Sequence, residues 1–293
     1  MNHKAGFVNI IGNPNVGKST LMNALVGEKL SIITSKAQTT RHRILGIVNG
    51  DDFQIIYSDT PGIIIPAYQM QDAMMKFVDA AMKDADVFLL VSEVNETFKN
   101  QEVLQKLSTT KIPVIVVLNK IDLSEQEKVV EKIGKWNELL PKAEIIPVSA
   151  LREFNIQKVF QTILDKIPEC APYFDKDTLT DRPQKFFVSE IIREKILKYY
   201  NKEIPYSVEV EVESFVEEES IIRIRAIIYA ARESQKGILI GHQGVALKRV
   251  GTEARRDLEE FLGKHVFIEL VVKVNKDWRN NESELKKFGY YNQ

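Results

Sequence analysis

The first half of the chain alternates short apolar runs with longer segments of mixed character. Five runs rich in β-branched residues occupy residues 7–11, 53–58, 86–92, 113–119 and 143–149. Runs that are apolar throughout, and that are separated by stretches long enough for a helix, are typical of the central strands of a parallel sheet covered on both faces. The pattern therefore predicts an α/β domain with a mainly parallel sheet and helices on both faces.

The last third of the chain predicts a different order of elements. Helical spacing over 188–200 precedes two alternating strands at 207–216 and 221–230. Residues 236–262 then predict two helices interrupted at a pair of glycines, and 266–275 predicts a last strand. The order helix, strand, strand, helix, helix, strand indicates a small α+β module.

Between these regions lies a segment with three prolines and no helical period, residues 167–185. Such a composition predicts a linker. A length of 293 residues also suits two domains. We therefore expect one domain over residues 1–170, a linker over 171–185 and a second domain over 186–293.

Charge and cysteine content narrow the class of protein. The 40 Lys and Arg residues nearly balance 41 Asp and Glu residues, for a net charge of -1, which argues against coating nucleic acid by bulk charge but allows a local basic patch. Cys170 is the single cysteine, so an intramolecular disulfide or a cysteine zinc site is excluded. We find no signal peptide and no apolar run near the roughly 20 residues of a membrane span, so we expect a cytoplasmic protein.

The first apolar run ends in GNPNVGKS, residues 12–19, which matches the phosphate-binding pattern GxxxxGK[ST]. Its glycines let backbone N–H groups surround a β-phosphate, Lys18 adds a positive charge at the β and γ oxygens, and the Ser19 hydroxyl can ligate Mg²⁺. DTPG follows the next run, where Asp59 can reach Mg²⁺ through water and the Gly62 amide can meet a γ-phosphate. Together these segments predict a nucleoside triphosphate site.

Two further segments predict which base is bound. In NKID, residues 119–122, the Asp122 carboxylate can accept hydrogen bonds from guanine N1–H and from its exocyclic amine, whereas adenine offers no such pair of donors. A site built on hydrogen bonds rejects the wrong partner by roughly 10⁴–10⁵. In SAL, residues 149–151, the Ala150 amide can donate to guanine O6. The sequence therefore predicts GTP and GDP rather than ATP as ligands.

A polar stretch at 36–43 supplies the second hydroxyl on Mg²⁺, from Thr40 or, as the alternative, from Thr39. We expect residues 34–43 and 62–72 to be switches that the γ-phosphate orders. The candidate metal ligands are Ser19, Thr40 and Asp59, and the candidate catalytic residues are Asn15, Lys18, Thr40 and Gly62. The candidate nucleotide-binding residues are Gly12, Asn13, Pro14, Asn15, Val16, Gly17, Lys18, Ser19, Thr20, Asp59, Thr60, Pro61, Gly62, Asn119, Lys120, Asp122, Ser149, Ala150 and Leu151.

The second module contains a GxxG segment, Gly241 to Gly244, between two apolar stretches. Without side chains at the two glycines, a sugar–phosphate backbone can pack against the loop, and basic residues around it attract phosphates. KH domains hold about four nucleotides in this way, and the order of elements resembles the bacterial-type KH fold. The candidate RNA-binding residues are Lys236, Ile240, Gly241, His242, Gln243, Gly244, Val245, Lys248 and Arg249.

The segments GNPNVGKS, KAQTTRHR, DTPG, NKID and SAL together resemble the translation-factor-related branch of small GTPases. With TDRPQKFFVSEIIREKI and the KH-type module, the chain is similar over residues 4–290 to the Era family of bacterial ribosome-assembly GTPases. The resemblance implies GTP hydrolysis with Mg²⁺ and binding of small-subunit rRNA near its 3′ end. It also implies a monomer that acts on the small ribosomal subunit, with weak peripheral contact at the inner face of the cell membrane.

The residue after DTPG predicts a slow reaction. Many GTPases orient the attacking water with a glutamine near this position, whereas this chain has Ile63, whose apolar side chain cannot do so. Asn15 occupies the position that, in potassium-activated relatives of this family, ligates a K⁺ ion in place of an arginine finger, so we hypothesise K⁺-stimulated hydrolysis. The alternative is that Asn15 only braces the phosphate loop.

Other functions remain open at this stage. They are a GTPase of RNA modification, a membrane-associated regulator of the cell cycle, and a P-loop kinase or ATPase, which NKID opposes. We further expect GTP and RNA to favour the same conformation, through residues 168–185 and 62–72.

Overall fold

The computed structural model describes residues 3–98 and 100–291. The chain forms two compact units. The first contains the residues up to Ile65 together with Met74–Asp181, and the second contains Pro66–Ala73 and the residues from Arg182 onward. Within the described ranges, none of the helices is long and apolar enough to cross a membrane.

The first unit is built on a six-stranded sheet in the order β2-β3-β1-β4-β5-β6. Its strands are β1 (Lys4–Ile11), β2 (Ile44–Asn49), β3 (Phe53–Asp59), β4 (Val87–Glu93), β5 (Val114–Asn119) and β6 (Glu144–Pro147). All neighbours pair in parallel except β2, which runs antiparallel to β3 at the edge. The helices are α1 (Lys18–Val26), α3 (Gln101–Thr109), α4 (Gln126–Leu139) and α5 (Ile156–Lys166), together with α2 (Gln69–Ala81), whose first residues belong to the second unit.

The central strands of this sheet are buried on both faces, as their uninterrupted apolar runs predict. Every residue of β5 is buried, and β4 is buried from Val87 to Ser92. The predicted α/β fold class is confirmed. Strand β2 is absent from the strands that the sequence predicts, because its apolar run is short and interrupted by Gly46.

The segment for which we predict a linker is held against the first unit as far as Asp181. Along β2, the Ile47 amide donates to the Leu179 carbonyl at 2.8 Å, and the Leu45 amide donates to Asp181 Oδ1 at 3.0 Å. The Thr180 hydroxyl donates to the Leu45 carbonyl at 2.7 Å. Because an edge strand otherwise leaves backbone groups unpaired, this extended segment completes the sheet on that side.

The second unit has the predicted order of elements. It consists of α6 (Gln184–Tyr199), β7 (Val208–Glu217), β8 (Ile221–Ala230), α7 (Glu233–Ile240), α8 (Val245–Leu262), β9 (His265–Val274) and α9 (Glu282–Lys287). Strand β8 is central, antiparallel to β7 and parallel to β9. Apolar residues four apart along α8 predict a buried stripe, and Val250, Ala254 and Leu258 are fully buried. It packs α8 against the sheet and so fixes the loop before it.

The charged face of this sheet is only partly exposed. From the alternation of charges we expect a solvated face, and Glu213 does pair with Arg225 at 3.1 Å across the strands while both stay partly exposed. Glu209, in contrast, is buried and accepts a hydrogen bond from Tyr290 Oη at 2.7 Å. The expectation is therefore wrong at Glu209, because the C-terminal segment around α9 covers that end, with Trp278 and Tyr290 buried.

Candidate nucleotide site and RNA interface

The loop between β1 and α1 is shaped by two glycines with positive φ. Gly12 has φ 150° and Gly17 has φ 96°. A Cβ at Gly12 would lie 2.3 Å from the Val91 carbonyl oxygen, and one at Gly17 would lie 2.3 Å from Asn119 Nδ2. Only glycine combines this backbone conformation with so close an approach. The loop is thereby packed against the ends of β4 and β5.

Lys18 is buried inside this loop. Its ammonium donates to the Asn13 carbonyl at 2.9 Å and to the Gly12 carbonyl at 3.3 Å. Burial lowers the pKa of Lys18 to about 8, against the opposing effect of the nearby Asp59 and Glu96 carboxylates. A cation that has lost its hydration in a backbone loop gains most from an anionic ligand, which is what a β- or γ-phosphate provides.

Three oxygen-bearing side chains meet beside Lys18. The Ser19 hydroxyl donates to Asp59 Oδ2 at 2.7 Å and lies 2.8 Å from the Thr40 hydroxyl, which itself donates to Asp59 Oδ2 at 3.3 Å. Asp59 Oδ1 is buried without a hydrogen-bond partner among the described residues, and burial raises the pKa of this carboxyl. Two hydroxyls and a carboxylate with a spare oxygen fit Mg²⁺, which prefers oxygen ligands.

Of the two candidate threonines, the structure brings Thr40 to this cluster. The Thr39 hydroxyl lies 2.7 Å from the Thr34 hydroxyl and donates to the Lys36 carbonyl at 2.7 Å. Thr39 is thus engaged within its own loop.

Asn119 links the phosphate loop to the SAL segment, at the end of the site where the base is expected to bind. Its buried amide donates to the Val16 carbonyl at 2.9 Å, and its Oδ1 accepts from the Ala150 amide at 3.0 Å. The predicted donation of Ala150 to guanine O6 would have to share this proton. Asp122 is exposed at the mouth of the site, where its carboxylate can face a base.

These segments enclose a cavity of about 420 Å³. It is lined by Pro14, Asn15, Gly17, Lys18, Ser19, Thr20, Ile32, Ile33, Thr34, Ser35, Gln38, Thr39, Thr40, Gly62, Asn119, Lys120, Asp122, Leu123 and Leu151. The other candidate residues do not line this cavity: Gly12, Asn13, Val16, Asp59, Thr60, Pro61, Ser149 and Ala150. Ile32, Ile33 and Leu123 are not among the candidates from the sequence, because isolated apolar side chains outside a motif carry no signal for nucleotide binding.

DTPG lies directly against the phosphate loop. A Cβ at Gly62 would come within 2.7 Å of the Pro14 backbone nitrogen, and the Ile63 amide donates to the Gly12 carbonyl at 3.1 Å. The Ile63 side chain turns away from the cavity and packs in the core with Ile11 and Phe88. Ile63 therefore contributes packing at this position rather than a polar group near the phosphates.

In the second unit, the GxxG segment forms a tight turn between α7 and α8. Gly241 has φ 71° and ψ 175°, and Gly244 has φ 78° and ψ 6°. His242 and Gln243 between them are exposed. The loop is thus open to a ligand on its outer side.

Two concave surfaces flank this loop. The first, of about 400 Å³, lies between α8 and the edge strand β9 and is lined by Gly244, Leu247, Lys248, Gly251, Thr252, Arg255, Val266, Phe267, Ile268 and Leu270. The second, of about 520 Å³, is lined by Tyr199, Tyr200, Gly241, His242, Val245, Ala246 and Arg249. In it the Arg249 guanidinium lies 4.0 Å over the Tyr199 ring.

The predicted RNA-binding residues divide between these surfaces. Gly244 and Lys248 line the first, whereas Gly241, His242, Val245 and Arg249 line the second. Lys236, Ile240 and Gln243 line neither, and Ile240 packs against the core. The half-exposed Phe267 also lines the first surface and is not among the candidates, because a lone aromatic residue in a strand is typical of a core residue.

A phosphate loop with an oxygen site for Mg²⁺ and a carboxylate at the base end, joined to a GxxG module, define a P-loop GTPase with a KH domain. Residues 7–120 match the family profile described as "50S ribosome-binding GTPase", and residues 203–279 match the KH domain profile. The chain is 45% identical over 289 residues to the GTPase Era of Geotalea daltonii, covering 98% of this chain and 97% of that one. It is 43% identical over 290 residues to that of Clostridium kluyveri, covering 98% and 99%. The chain belongs to the Era family of GTPases.

Solved structures agree with this assignment. One is Era in complex with MgGDPNP and nucleotides 1506–1542 of 16S ribosomal RNA, and another is a variant of Aquifex aeolicus Era bound to GDP and AlF₄⁻. Each is 38% identical to this chain, with a TM-score of 0.94 and coverage of 98% of this chain and 99% of the other. The fold class and the GTPase activity predicted from the sequence are confirmed.

Proposed function

We propose that this GTPase is a switch that binds small-subunit rRNA near its 3′ end through the KH domain and acts in assembly of the small ribosomal subunit. The main support is the near full-length similarity to an Era bound to both MgGDPNP and 16S rRNA nucleotides. The open GxxG loop and the basic residues on α8 give the phosphate contacts that such binding needs. The monomeric state and weak peripheral membrane contact stay predictions.

In the nucleotide site, Ser19 and Thr40 would hold Mg²⁺ directly and Asp59 would hold it through water. The ion would supply positive charge that offsets the charge developing on the triphosphate. Lys18 would add a second positive charge, and the Gly62 amide would donate to the γ-phosphate. Because Ile63 is buried in the core, it cannot orient the attacking water, so we propose that intrinsic hydrolysis is slow.

Asn15 supports K⁺ stimulation of this reaction. It is exposed, lines the cavity and makes no side-chain hydrogen bond to any residue that the structure describes, so its oxygen is available to a cation. We expect faster hydrolysis in KCl than in NaCl, and no difference between the two salts for Asn15→Ala. Equal rates for the wild-type protein would contradict the proposal.

The RNA target can be tested in cells by crosslinking the protein and sequencing the bound RNA. We expect reads from the 3′ end of small-subunit rRNA for the wild type and their loss for the double variant Gly241→Asp/Gly244→Asp. Gly134→Asp is a matched control, since a Cβ at Gly134 meets no atom within 4 Å and this residue lies on α4 of the other unit. A wild-type profile without small-subunit rRNA would overturn the proposal.

A further inference from the structure

The turn that follows β4 carries two carboxylates next to the phosphate loop. Strands β1 and β4 are parallel neighbours, with Ile11 in register with Leu90, so both end at the same edge of the sheet. The turn is closed by a hydrogen bond from the Glu96 amide to the Glu93 carbonyl at 3.2 Å. Neither glutamate belongs to a nucleotide-binding motif of the sequence.

The Glu96 carboxylate is fixed on both of its oxygens. Oε1 accepts a hydrogen bond from the Asn13 side-chain amide. Oε2 accepts from the Ser92 hydroxyl and from the Glu93 amide, each at 3.2 Å. Lys132 of α4 also donates to the Glu96 carbonyl. One oxygen therefore belongs to the turn and the other to the phosphate loop.

The Glu93 carboxylate acts on the same loop through Lys120. Its Oε2 lies 2.5 Å from the Lys120 ammonium, which donates to the Asn15 carbonyl at 2.6 Å. Both Lys120 and Asn15 have positive φ, 61° and 65°, a conformation that non-glycine residues adopt at a cost of about 1–3 kcal/mol unless contacts hold them. The two glutamates thus restrain the phosphate loop on either side of Pro14.

We propose that Glu93 and Glu96 are positioning residues that hold the phosphate loop in its phosphate-receiving shape without touching the nucleotide. Among the described residues that line the nucleotide cavity, neither glutamate appears, and Asn13 is also absent because its side chain turns toward Glu96. The restraint acts on the loop and not on the γ-phosphate. It should therefore favour GTP and GDP alike.

Electrostatic interaction alone predicts an effect of Glu96 on nucleotide affinity that is opposite in sign to the effect of positioning. Glu96 is near enough to Lys18 to act on its charge. Well below the pKa of Lys18, where this lysine stays protonated, removing the Glu96 carboxylate should make the site more positive and tighten binding of an anionic nucleotide, so release is measured at about pH 6.5. Positioning predicts weaker binding instead, because a neutral amide cannot accept from Asn13, Ser92 and Glu93 together. The direction of change separates the two accounts.

The first test measures release of a fluorescent GDP and of a fluorescent non-hydrolysable GTP analogue from the full chain in Mg²⁺. For Glu96→Gln we expect both to dissociate about tenfold faster, as for loss of a charge-assisted hydrogen bond. KM for GTP should rise by a similar factor, while kcat at saturating GTP stays within about twofold of wild type. Unchanged or slower release would refute the proposal.

Glu102→Gln is the matched control, because it removes the same charge from an exposed position on the next helix, α3. It should leave nucleotide release unchanged. A thermal unfolding scan of each variant shows whether the fold is kept. Glu93→Gln should also speed release, through loss of the support for Lys120.

A double-mutant cycle tests the route through Asn13. If Glu96 acts by holding Asn13, Asn13→Ala/Glu96→Ala should release nucleotide no faster than the faster single variant. Rates whose logarithms add would show that the two side chains act independently, which would overturn the proposed route. If the two substitutions only lowered stability independently, the changes in the logarithm of the release rate would add. A double variant that is no faster than the faster single variant would therefore not arise from a general loss of stability.

Discussion

We predict that Asp122 discriminates between bases, because its exposed carboxylate lies at the mouth of the cavity. In Asp122→Asn an amide replaces the carboxylate, so the side chain can donate to a carbonyl at C2 of the base while it still accepts from N1–H. We expect GDP to bind at least about tenfold more weakly than to the wild type, and xanthosine diphosphate to bind correspondingly more tightly. Competition of each nucleotide against a fluorescent GDP gives the ratio.

Asp165→Asn on the exposed face of α5 removes the same charge and should leave that ratio unchanged. If Asp122→Asn keeps the wild-type preference for GDP, the carboxylate does not read the base.

Lys18 predicts a pH dependence of nucleotide affinity. Burial lowers the pKa of Lys18 to about 8 in the free site, and only the protonated form attracts phosphates. Affinity for GDP should therefore be constant below that pKa and fall as the pH rises through it, by up to about tenfold per pH unit above it. A lysine with an ordinary pKa would stay charged over this range and give no such fall.

Titration calorimetry with GDP from about pH 7 to about pH 9 covers the transition. Guanosine, which has no phosphate, serves as the control and should bind independently of pH below the ionisation of guanine itself. A flat profile for GDP would show that Lys18 keeps its proton throughout.

At this scale the sequence predicts side chains whose chemistry needs a fixed spacing. Three motifs can be identified from the sequence, because phosphate, metal and base contacts each require certain residue types at the end of a strand. They are GNPNVGKS, DTPG and NKID. Glu96 was not predictable, because its contact with Asn13 joins two strands that are neighbours only in the folded sheet. Thr40 could be separated from Thr39 only by its hydrogen bonds to Ser19 and Asp59.

In the GxxG turn, the two glycines are required for different physical reasons. Gly241 combines φ 71° with ψ 175°, and a Cβ there would lie 2.7 Å from that of Ala246. Gly244 has a left-handed helical conformation with open space around it. We expect Gly241→Ala to lower the free energy of unfolding by about 2–4 kcal/mol and Gly244→Ala by about 1 kcal/mol.

Urea unfolding of the two variants in a Trp136→Phe background measures this difference, because Trp278, which is buried in the same unit as the turn, is then the single fluorescent tryptophan. Equal losses would mean that the steric contact with Ala246 is relieved by a small shift of α8.

Elements with a strong period were predictable, and those defined by their neighbours were not. Helix α8 was recognisable from the spacing of Val250, Ala254 and Leu258, which all face the core. Strand β2 was missed, and its edge is completed by an extended segment that includes Leu179. No local sequence pattern predicts that contact. The hydrogen bond from the Ile47 amide to the distant Leu179 carbonyl depends on how the two segments are aligned in the folded chain, and not on residue type.

For the whole molecule, the near-zero net charge conceals an uneven distribution. The 40 basic and 41 acidic residues nearly cancel, yet Lys248, Arg249, Arg255 and Arg256 are all exposed along α8 behind the GxxG loop. A local cluster of this kind supplies attraction to phosphates without making the whole surface basic. A near-neutral total is therefore compatible with binding one RNA site and then releasing it.

Control of RNA release by the nucleotide requires that the GTP and RNA sites be energetically coupled. If GTP and RNA favour the same conformation, RNA should bind about 5–150-fold more tightly with a GTP analogue than with GDP. Fluorescence anisotropy of a labelled oligonucleotide from the 3′ end of small-subunit rRNA measures both affinities. Linkage requires the same factor in the ratio of GTP-analogue to GDP affinities measured with and without RNA.

Gly244→Asp, at the glycine whose Cβ would meet no atom within 4 Å, should weaken RNA binding strongly and leave the nucleotide affinities at their RNA-free values. RNA affinities that are equal with both nucleotides would show that the GTPase cycle does not control RNA binding. Equality of the two affinity ratios is a stricter criterion than an effect of RNA on the hydrolysis rate. RNA could change that rate without changing any equilibrium affinity. Only a factor that appears in both ratios makes this protein a switch in the thermodynamic sense.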